Sequence, residues 1–254
     1  MNKEIVSAPP KMRLIMPGGM GPNVCPGCGH FLVTKLVCEV IEEMGIGDRT
    51  MHVLGAGCAA FAAIYITEDW AGCSHGSAPA VATGIKRVHP EAVVFTVQGD
   101  GDAVAIGAGT LLNAAARGEK ITVLMLNNAQ YGTTGGQMGP TTLDGQVTTT
   151  TPLGRNPAKE GHPLHAAELL ATVKSVAYSA RSAVCNPKTF QQTKKYIRTA
   201  FQKQIDNAGF SYLEILTQCP TNLHMKPPQA AKWVEEKMIP EFPLGEFKNV
   251  DSTN

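Results

Sequence analysis

Two short runs constrain this chain more than anything else in it: AVVFTVQ at residues 92–98 and ITVLMLN at residues 121–127. Each is continuous in β-branched and large apolar residues, with no alternation of polar positions. Such runs read as strands covered on both faces, the pattern of a parallel sheet. The stretch between them, DAVAIGAGTLLNAAARG, has helix-forming composition and stops at Gly118, a residue suited to ending a helix. Strand, helix and strand in this order form a crossover that lays two parallel strands side by side.

The same alternation continues on both sides. HFLVTKLVCEVIEEM carries apolar residues at helical spacing and ends at Gly45, and MHVL (51–54) is a short strand candidate. APAVATGIKRVHP reads as a helix stopped at Pro90. HAAELLATV (helix), SVAYSAR (strand), KTFQQTKKYIRTAFQKQI (helix) and FSYLEILTQ (strand) follow a long Gly-, Thr- and Pro-rich loop at 129–163. A structureless loop of that length usually has a function. AAKWVEEKM adds a last short helix before a polar tail. The expected fold is α/β, a mainly parallel sheet with helices on both faces. Residues 1–22, rich in Pro and Gly, form an arm; 23–222 form the main domain; 223–254 form a C-terminal extension.

Composition limits the partners. The chain has 254 residues, 43% of them apolar, enough for a substantial core. A net charge of +1 gives no electrostatic reason to expect nucleic acid or a membrane as partner. The opening residues lack the apolar core of a signal peptide, and LGAGCAAFAAIYI is too short and Gly-rich to span a bilayer. A cytoplasmic protein is expected. Seven cysteines in a reducing compartment favour metal or redox use over structural disulfides.

Four of the expected strands run into unusual groups. MHVL leads into GAGC, VVFTVQ into GDGD, TVLML into NNAQYG, and YLEILTQ into CPT. Ligands of open parallel sheets lie beyond the carboxyl ends of the strands. Cys58, Asp100, Asn128 and Cys219 are therefore expected along one edge. Gly99 and Gly101 allow a close backbone approach, and the helix after them offers free N–H groups to a diphosphate. Asp100 and Asn128 are hard oxygen donors suited to a magnesium ion shared with phosphate oxygens. They lie 28 positions apart, one helix plus one strand. On its own, GDG reads more readily as a tight turn in which Asp100 caps a helix. The CPGCGH segment, with Cys25 and Cys28, is on its own compatible with a zinc knuckle, a redox pair, part of a cluster ligand set or chance.

GDGD, a helix and a strand, then NNAQYGTTGGQ, resemble the thiamine diphosphate fingerprint of 2-oxoacid:ferredoxin oxidoreductases. The similarity extends through CPGCGH, GAGC, HGSAPAVATGIK and CPT, over roughly residues 20–222, with the motifs in the family's order. It implies a thiamine diphosphate-binding fold and the β subunit of such an enzyme, closest to the 2-oxoisovalerate (branched-chain) type. By that resemblance Asp100, Asn128 and the Gln130 carbonyl hold Mg²⁺. The cofactor is contacted by His30, Gly57, His75, Gly76, Gly99, Asp100, Gly101, Asp102, Asn128, Tyr131, Gly132, Thr133 and Thr134. Cys25, Cys28, Cys58 and Cys219 match the ligand set of one [4Fe–4S] cluster. Ser77 stands where the family often has an arginine. Cys38 and Cys185 are expected to be buried or incidental thiols, and Cys73 is left without a role. His52, His89, His162, His165, His224 and the Lys-rich face of QQTKKYIRTAFQKQ are expected to be structural or solvated.

The resemblance further implies CoA-dependent oxidative decarboxylation of a 2-oxoacid to acyl-CoA and CO₂, with electrons leaving through the cluster to ferredoxin. 2-Oxoisovalerate ranks first as substrate, with 2-oxoglutarate or pyruvate as alternatives. The glutamate that promotes ylid formation has no assignable counterpart here and is expected on a pyrimidine-binding α subunit. Partner γ and ferredoxin-like δ chains, and a dimer of heteromers, complete the expectation. A non-oxidative thiamine lyase would not need the four cysteines, and a structural zinc or cluster subunit would not need the GDG–NN pair.

Overall fold

The structure is a computed structural model, and it describes residues 24–251. In chain order its elements are α1 (Gly29–Met44), β1 (Thr50–Leu54), α2 (Cys58–Ala63), β2 (Asp69–Gly72), α3 (Ala78–Val88), β3 (Val93–Gly99), α4 (Ala108–Ala116) and β4 (Thr122–Asn127). The second half has α5 (Pro157–Glu160), α6 (Ala166–Ala171), β5 (Val176–Ala183), α7 (Pro187–Ile205), β6 (Phe210–Leu216), α8 (Pro220–Leu223), α9 (Pro227–Trp233), α10 (Ile239–Glu241) and β7 (Gly245–Asn249). The strands form one seven-stranded sheet in the order β2-β1-β3-β4-β6-β5-β7. Every pairing is parallel except β7 against β5.

The continuous apolar runs explain the layering. Side chains of successive strand residues point to opposite faces. Phe95 and Val97 of β3, Leu124 and Leu126 of β4, and Leu213 and Ile215 of β6 enter a core with α1, α2 and α7. Val94, Val123, Met125 and Tyr212 enter the opposite core, under α3, α4 and α6. Both faces of the central strands are covered, as their composition requires.

Helix ends follow local chemistry. α1 stops at Gly45, whose φ of 63° is the left-handed conformation that an unbranched glycine tolerates. α7 starts on a capping box: Asn186 Oδ1 accepts from the Thr189 N–H at 2.9 Å, and Thr189 Oγ1 accepts from the Asn186 N–H at 3.2 Å.

Several expectations need correction. The helix after GDGD is not continuous: a π-helical turn at Gly101–Ile106 breaks at Gly107 before α4 begins. That break lets the turn follow the site instead of the sheet. α2, β2 and β7 were not legible as elements. β7 lies where a polar tail was expected, and it closes the sheet edge. The Lys-rich face of α7 is not wholly solvated. Lys194 pairs with Glu39 at 2.9 Å and Glu43 at 2.6 Å, and Lys203 is buried and donates to the Val250 carbonyl at 2.9 Å. Residues 1–23 lie outside the described residues, so the proposed arm (1–22) is not placed. Among the described residues, no helix is long and apolar enough to cross a membrane.

Candidate functional site

Because the strands run parallel, their carboxyl ends share one edge, and there the chain forms a cleft of about 390 Å³. Its walls come from GAGC after β1, GDGD after β3 and NNAQYGTT after β4, together with His30 and His75. Of the residues expected to contact a cofactor, all but Gly76 line this cleft. The Gly76 N–H instead donates to Asp102 Oδ1 at 2.7 Å, just behind the wall.

Three oxygens mark the floor. Asp100 is buried, and Thr141 Oγ1 donates to its Oδ2 at 2.5 Å. Burial pushes the Asp100 carboxyl up to about 7, against the Thr141 and backbone hydrogen bonds that favour its charged form. The Asn128 side-chain amide lies 3.3 Å from Asp100 Oδ1 and 2.6 Å from the Gln130 carbonyl oxygen. Turned one way, its Nδ2 donates to both. Turned the other way, three oxygens face one another, an arrangement that a hard cation satisfies. The donor set therefore fits Mg²⁺.

The corner carrying Asn128 and Gln130 is held in an unusual conformation. Ala129 has φ of 60° and is fully buried. Asn127 Oδ1 accepts from the Ala129 N–H at 2.9 Å, and Thr142 Oγ1 donates to the Ala129 carbonyl at 2.7 Å. On the opposite wall, Gly101 packs so closely that a Cβ there would lie 2.1 Å from Tyr131 Cε1. Asp102, also buried, accepts from Gln98 Nε2 at 2.9 Å, and its Oδ1 lies 2.5 Å from His75 Nδ1. This fixes the His75 ring at the cleft mouth.

A second cavity, of about 500 Å³, adjoins the first. Cys25, Cys28, Cys58 and Cys219 all line it, and His30, Cys58, Asn128 and Gly132 are walls common to both. The CPGCGH segment is docked by the Gly29 N–H, which donates to the Gln218 carbonyl at 3.0 Å beside Cys219. Cys58 Sγ lies 2.9 Å from Thr133 Oγ1. Burial pushes the Cys28 thiol up to about 12, with the neighbouring Cys219 and Cys58 adding to it, and burial raises Cys219 as well. Among the described residues, no three His, Cys, Asp or Glu side chains gather as a single metal ion would need. Four thiols lining one cavity are of the ligand type that an iron–sulfur cluster takes.

His30 stands between the cavities. It is buried, and burial lowers its ring to about 4. The Cys58 backbone opposes that shift, yet neither ring nitrogen makes a well-formed hydrogen bond among the described residues. Cys73 Sγ donates to the Leu54 carbonyl at 3.3 Å and packs against the core, and Cys38 is buried. His52 is a buried core residue stacked on Phe95, with ring centroids 5.3 Å apart. Thr141, Gln98 and Asn222, whose Nδ2 donates to the Gly132 carbonyl at 2.9 Å, complete the site and were not anticipated. The only sequence signal for them was position: Gln98 ends a strand, and Thr141 lies in the long loop.

A mostly parallel sheet with a cleft at the carboxyl edge of its strands is the architecture of nucleotide- and cofactor-binding α/β proteins. Residues 47–215 match the family model described as thiamine pyrophosphate enzyme, C-terminal TPP binding domain. The ketoisovalerate oxidoreductase subunit VorA of Methanothermobacter thermautotrophicus is 40% identical over 254 residues, covering 98% of this chain and 53% of the relative. The 2-oxoglutarate synthase subunit KorB of Archaeoglobus fulgidus is 34% identical over 212 residues, covering 84% of this chain and 75% of the relative. A solved 2-oxoglutarate:ferredoxin oxidoreductase from Magnetococcus marinus, with 2-oxoglutarate, coenzyme A and succinyl-CoA bound, superposes with a TM-score of 0.74. It covers 92% of this chain and 84% of that one, at 24% identity, a likeness of fold. The chain belongs to the thiamine pyrophosphate enzyme family, among the β-type subunits of 2-oxoacid:ferredoxin oxidoreductases. It spans about half the length of the VorA proteins that it matches.

Proposed function

We propose that this chain is the thiamine diphosphate- and cluster-holding component of a 2-oxoacid:ferredoxin oxidoreductase. The overall reaction is 2-oxoacid plus CoA plus two oxidised ferredoxins giving acyl-CoA, CO₂, a proton and two reduced ferredoxins. The observation that carries it is the pair of adjoining cavities, one walled by the GDGD and NNAQ segments and the other by four cysteines. Thiamine diphosphate, when bound, supplies a nucleophilic carbon and an electron sink for decarboxylation. Asp100, Asn128 and the Gln130 carbonyl hold its Mg²⁺. Cys25, Cys28, Cys58 and Cys219 would hold a [4Fe–4S] cluster in the adjoining cavity, where it would supply the electron acceptor. A glutamate for ylid formation, coenzyme A contacts and further clusters are assigned to partner subunits in a cytoplasmic complex.

2-Oxoisovalerate is the favoured substrate. The ketoisovalerate oxidoreductase subunit VorA is 40% identical and the 2-oxoglutarate synthase subunit KorB 34%, which supports that ranking.

The test is anaerobic purification of the native complex, followed by iron, sulfide, zinc and thiamine assays. Iron and sulfide with thiamine diphosphate are expected; zinc in place of iron overturns electron transfer, and an intact complex without thiamine overturns catalysis. Asp100→Ala is expected to lose the thiamine cofactor while keeping most of the iron. Unchanged thiamine content would refute the Mg²⁺ role.

A further inference from the structure

Beneath the cofactor corner lies a charged network that neither cavity wall includes. Arg181 of β5 and Glu214 of β6 are fully buried, and Arg181 Nε donates to Glu214 Oε2 at 2.9 Å. Arg181 also donates to both Glu168 oxygens and, at 3.1 Å, to the Pro243 carbonyl, and Phe242 and Phe247 rings flank its guanidinium. The other oxygen of Glu214, Oε1, accepts from Asn127 Nδ2 at 2.7 Å. The second function of that amide is the contact described above: its Oδ1 accepts from the Ala129 N–H. Asn127 is itself fully buried, and its backbone carbonyl accepts from the Thr217 N–H at 2.8 Å. Both ends of its side chain are thus committed, and it cannot rotate without leaving a buried polar group unpaired.

Two physical facts give this network a purpose beyond packing. A buried ion pair recovers little more than the desolvation it incurs, so apolar residues would fill the same space at least as stably. And Ala129, fully buried with φ of 60°, occupies a region that residues with a Cβ avoid. Such a conformation persists only where its surroundings impose it. Ala129 sits between Asn128 and Gln130: the Asn128 side-chain amide lies 3.3 Å from Asp100 Oδ1 and 2.6 Å from the Gln130 carbonyl oxygen.

We propose that Asn127, anchored by the buried Arg181–Glu214 pair, is a positioning residue: it clamps Ala129 in the left-handed region and thereby aims Asn128 and Gln130 at the cation that holds the diphosphate. The inference rests on the assignment of Asp100, Asn128 and Gln130 as the seat of that cation. Asn127 touches neither cofactor nor cation; it acts through the backbone at Ala129.

The clamp has a signature that a purely structural role lacks. Glycine adopts the left-handed conformation without assistance, so Ala129→Gly should make the clamp unnecessary. The measurement is Mg²⁺-supported thiamine diphosphate binding to the cofactor-stripped, anaerobically purified complex by equilibrium dialysis, with iron content and thermal midpoint as controls. Asn127→Ala is expected to weaken binding about tenfold with iron unchanged. Adding Ala129→Gly to that variant is expected to bring affinity back to within about threefold of wild type. Asn127→Ser, which keeps an oxygen in reach of the Ala129 N–H in a weaker turn, is expected to fall between and serves if the alanine variant does not assemble. Wild-type affinity in both Asn127 variants overturns the inference, and so does a loss that Ala129→Gly fails to repair. Asp100→Ala separates the two levels. If it binds normally, the cation seat and this inference both fail; if it loses the cofactor while Asn127 variants keep theirs, only this inference fails.

Discussion

Gly101 offers a test in which two physical effects point in opposite directions. It sits in the first turn after β3, in a π-helical segment, and its φ is not positive, so the backbone accepts alanine there. Helix propensity alone would favour Gly101→Ala by up to about 1 kcal/mol. Sterics oppose it: the new Cβ would lie 2.1 Å from Tyr131 Cε1, 2.6 Å from Cδ1 and 2.7 Å from Cζ. Carbon atoms settle at about 3.5–4.0 Å, so the ring must move by about 1.5 Å. The Tyr131 backbone cannot follow easily, because its N–H donates to the Gln137 carbonyl at 3.0 Å and its carbonyl accepts from the Gly136 N–H at 2.9 Å. The ring therefore turns, and both residues line the cofactor cleft. Overpacking of this kind costs about 1–3 kcal/mol, which outweighs the propensity gain. Gly101→Ala is expected to weaken thiamine diphosphate binding at least about tenfold, the change that about 1.4 kcal/mol produces. Equilibrium dialysis against the stripped complex measures it, with iron content as the control that the cysteine cavity is intact. Replacing Tyr131 by Ala in the same variant removes the obstructing ring and should recover part of the loss. Wild-type affinity in Gly101→Ala would refute the steric reasoning.

Two further perturbations probe the core. His52 is fully buried with its ring held at about 4, below the ordinary 6.5, because burial disfavours the charged form. The unfolded chain takes up this proton first, so stability is lost as pH falls below the unfolded value. Between about pH 7 and pH 5 the loss amounts to about 2 kcal/mol. It should be missing in His52→Leu, as read by the pH dependence of the thermal midpoint relative to wild type; parallel profiles would contradict it. Phe242 is fully buried with Val234 and Met238, and its ring centroid lies 5.2 Å from the Arg181 guanidinium carbon. Phe242→Ala should destabilise the chain by about 3–5 kcal/mol, visible as a lowered midpoint; a change below about 1 kcal/mol would show that the C-terminal segment does not share the core.

What could be read from the sequence was whatever is local. β3, β4 and β6 each carry enough consecutive apolar residues to announce a strand covered on both faces, and the polar groups that end them fall at its carboxyl edge for that reason. Cys58, Asp100, Asn128 and Cys219 were placed together by topology alone. What stayed hidden was made by contacts across long sequence distances. DWAG has no strand pattern; it becomes β2 because β1 offers an unpaired edge. GEFKN becomes β7 by pairing with β5, and its Phe247 covers Arg181. Thr141 reaches Asp100 from 41 positions away, and Gly76 supports Asp102 from 26. The break at Gly107 falls where Gly107 and Gly109 already weaken a helix. The Gly107 N–H donates back to the Asp102 carbonyl at 2.9 Å, and a Cβ at Gly107 would lie 2.5 Å from that oxygen.

The two cavities are also a consequence of that topology. Parallel strands deliver all their endings to one edge, so residues that serve different groups must stand side by side there. His30, Cys58, Asn128 and Gly132 each face both cavities. α1 brings the Cys25–Cys28 segment to this edge through a backbone contact at Gln218, one residue before Cys219. Under the proposed function, a cluster in the second cavity would gain from that adjacency, because electron transfer favours short separation. The same adjacency means that a change at any of these four shared walls alters both cavities. Cys58 begins α2, contacts Thr133 on the cofactor side and lines the cysteine cavity on the other. Under the proposed function it is a joint between two chemistries.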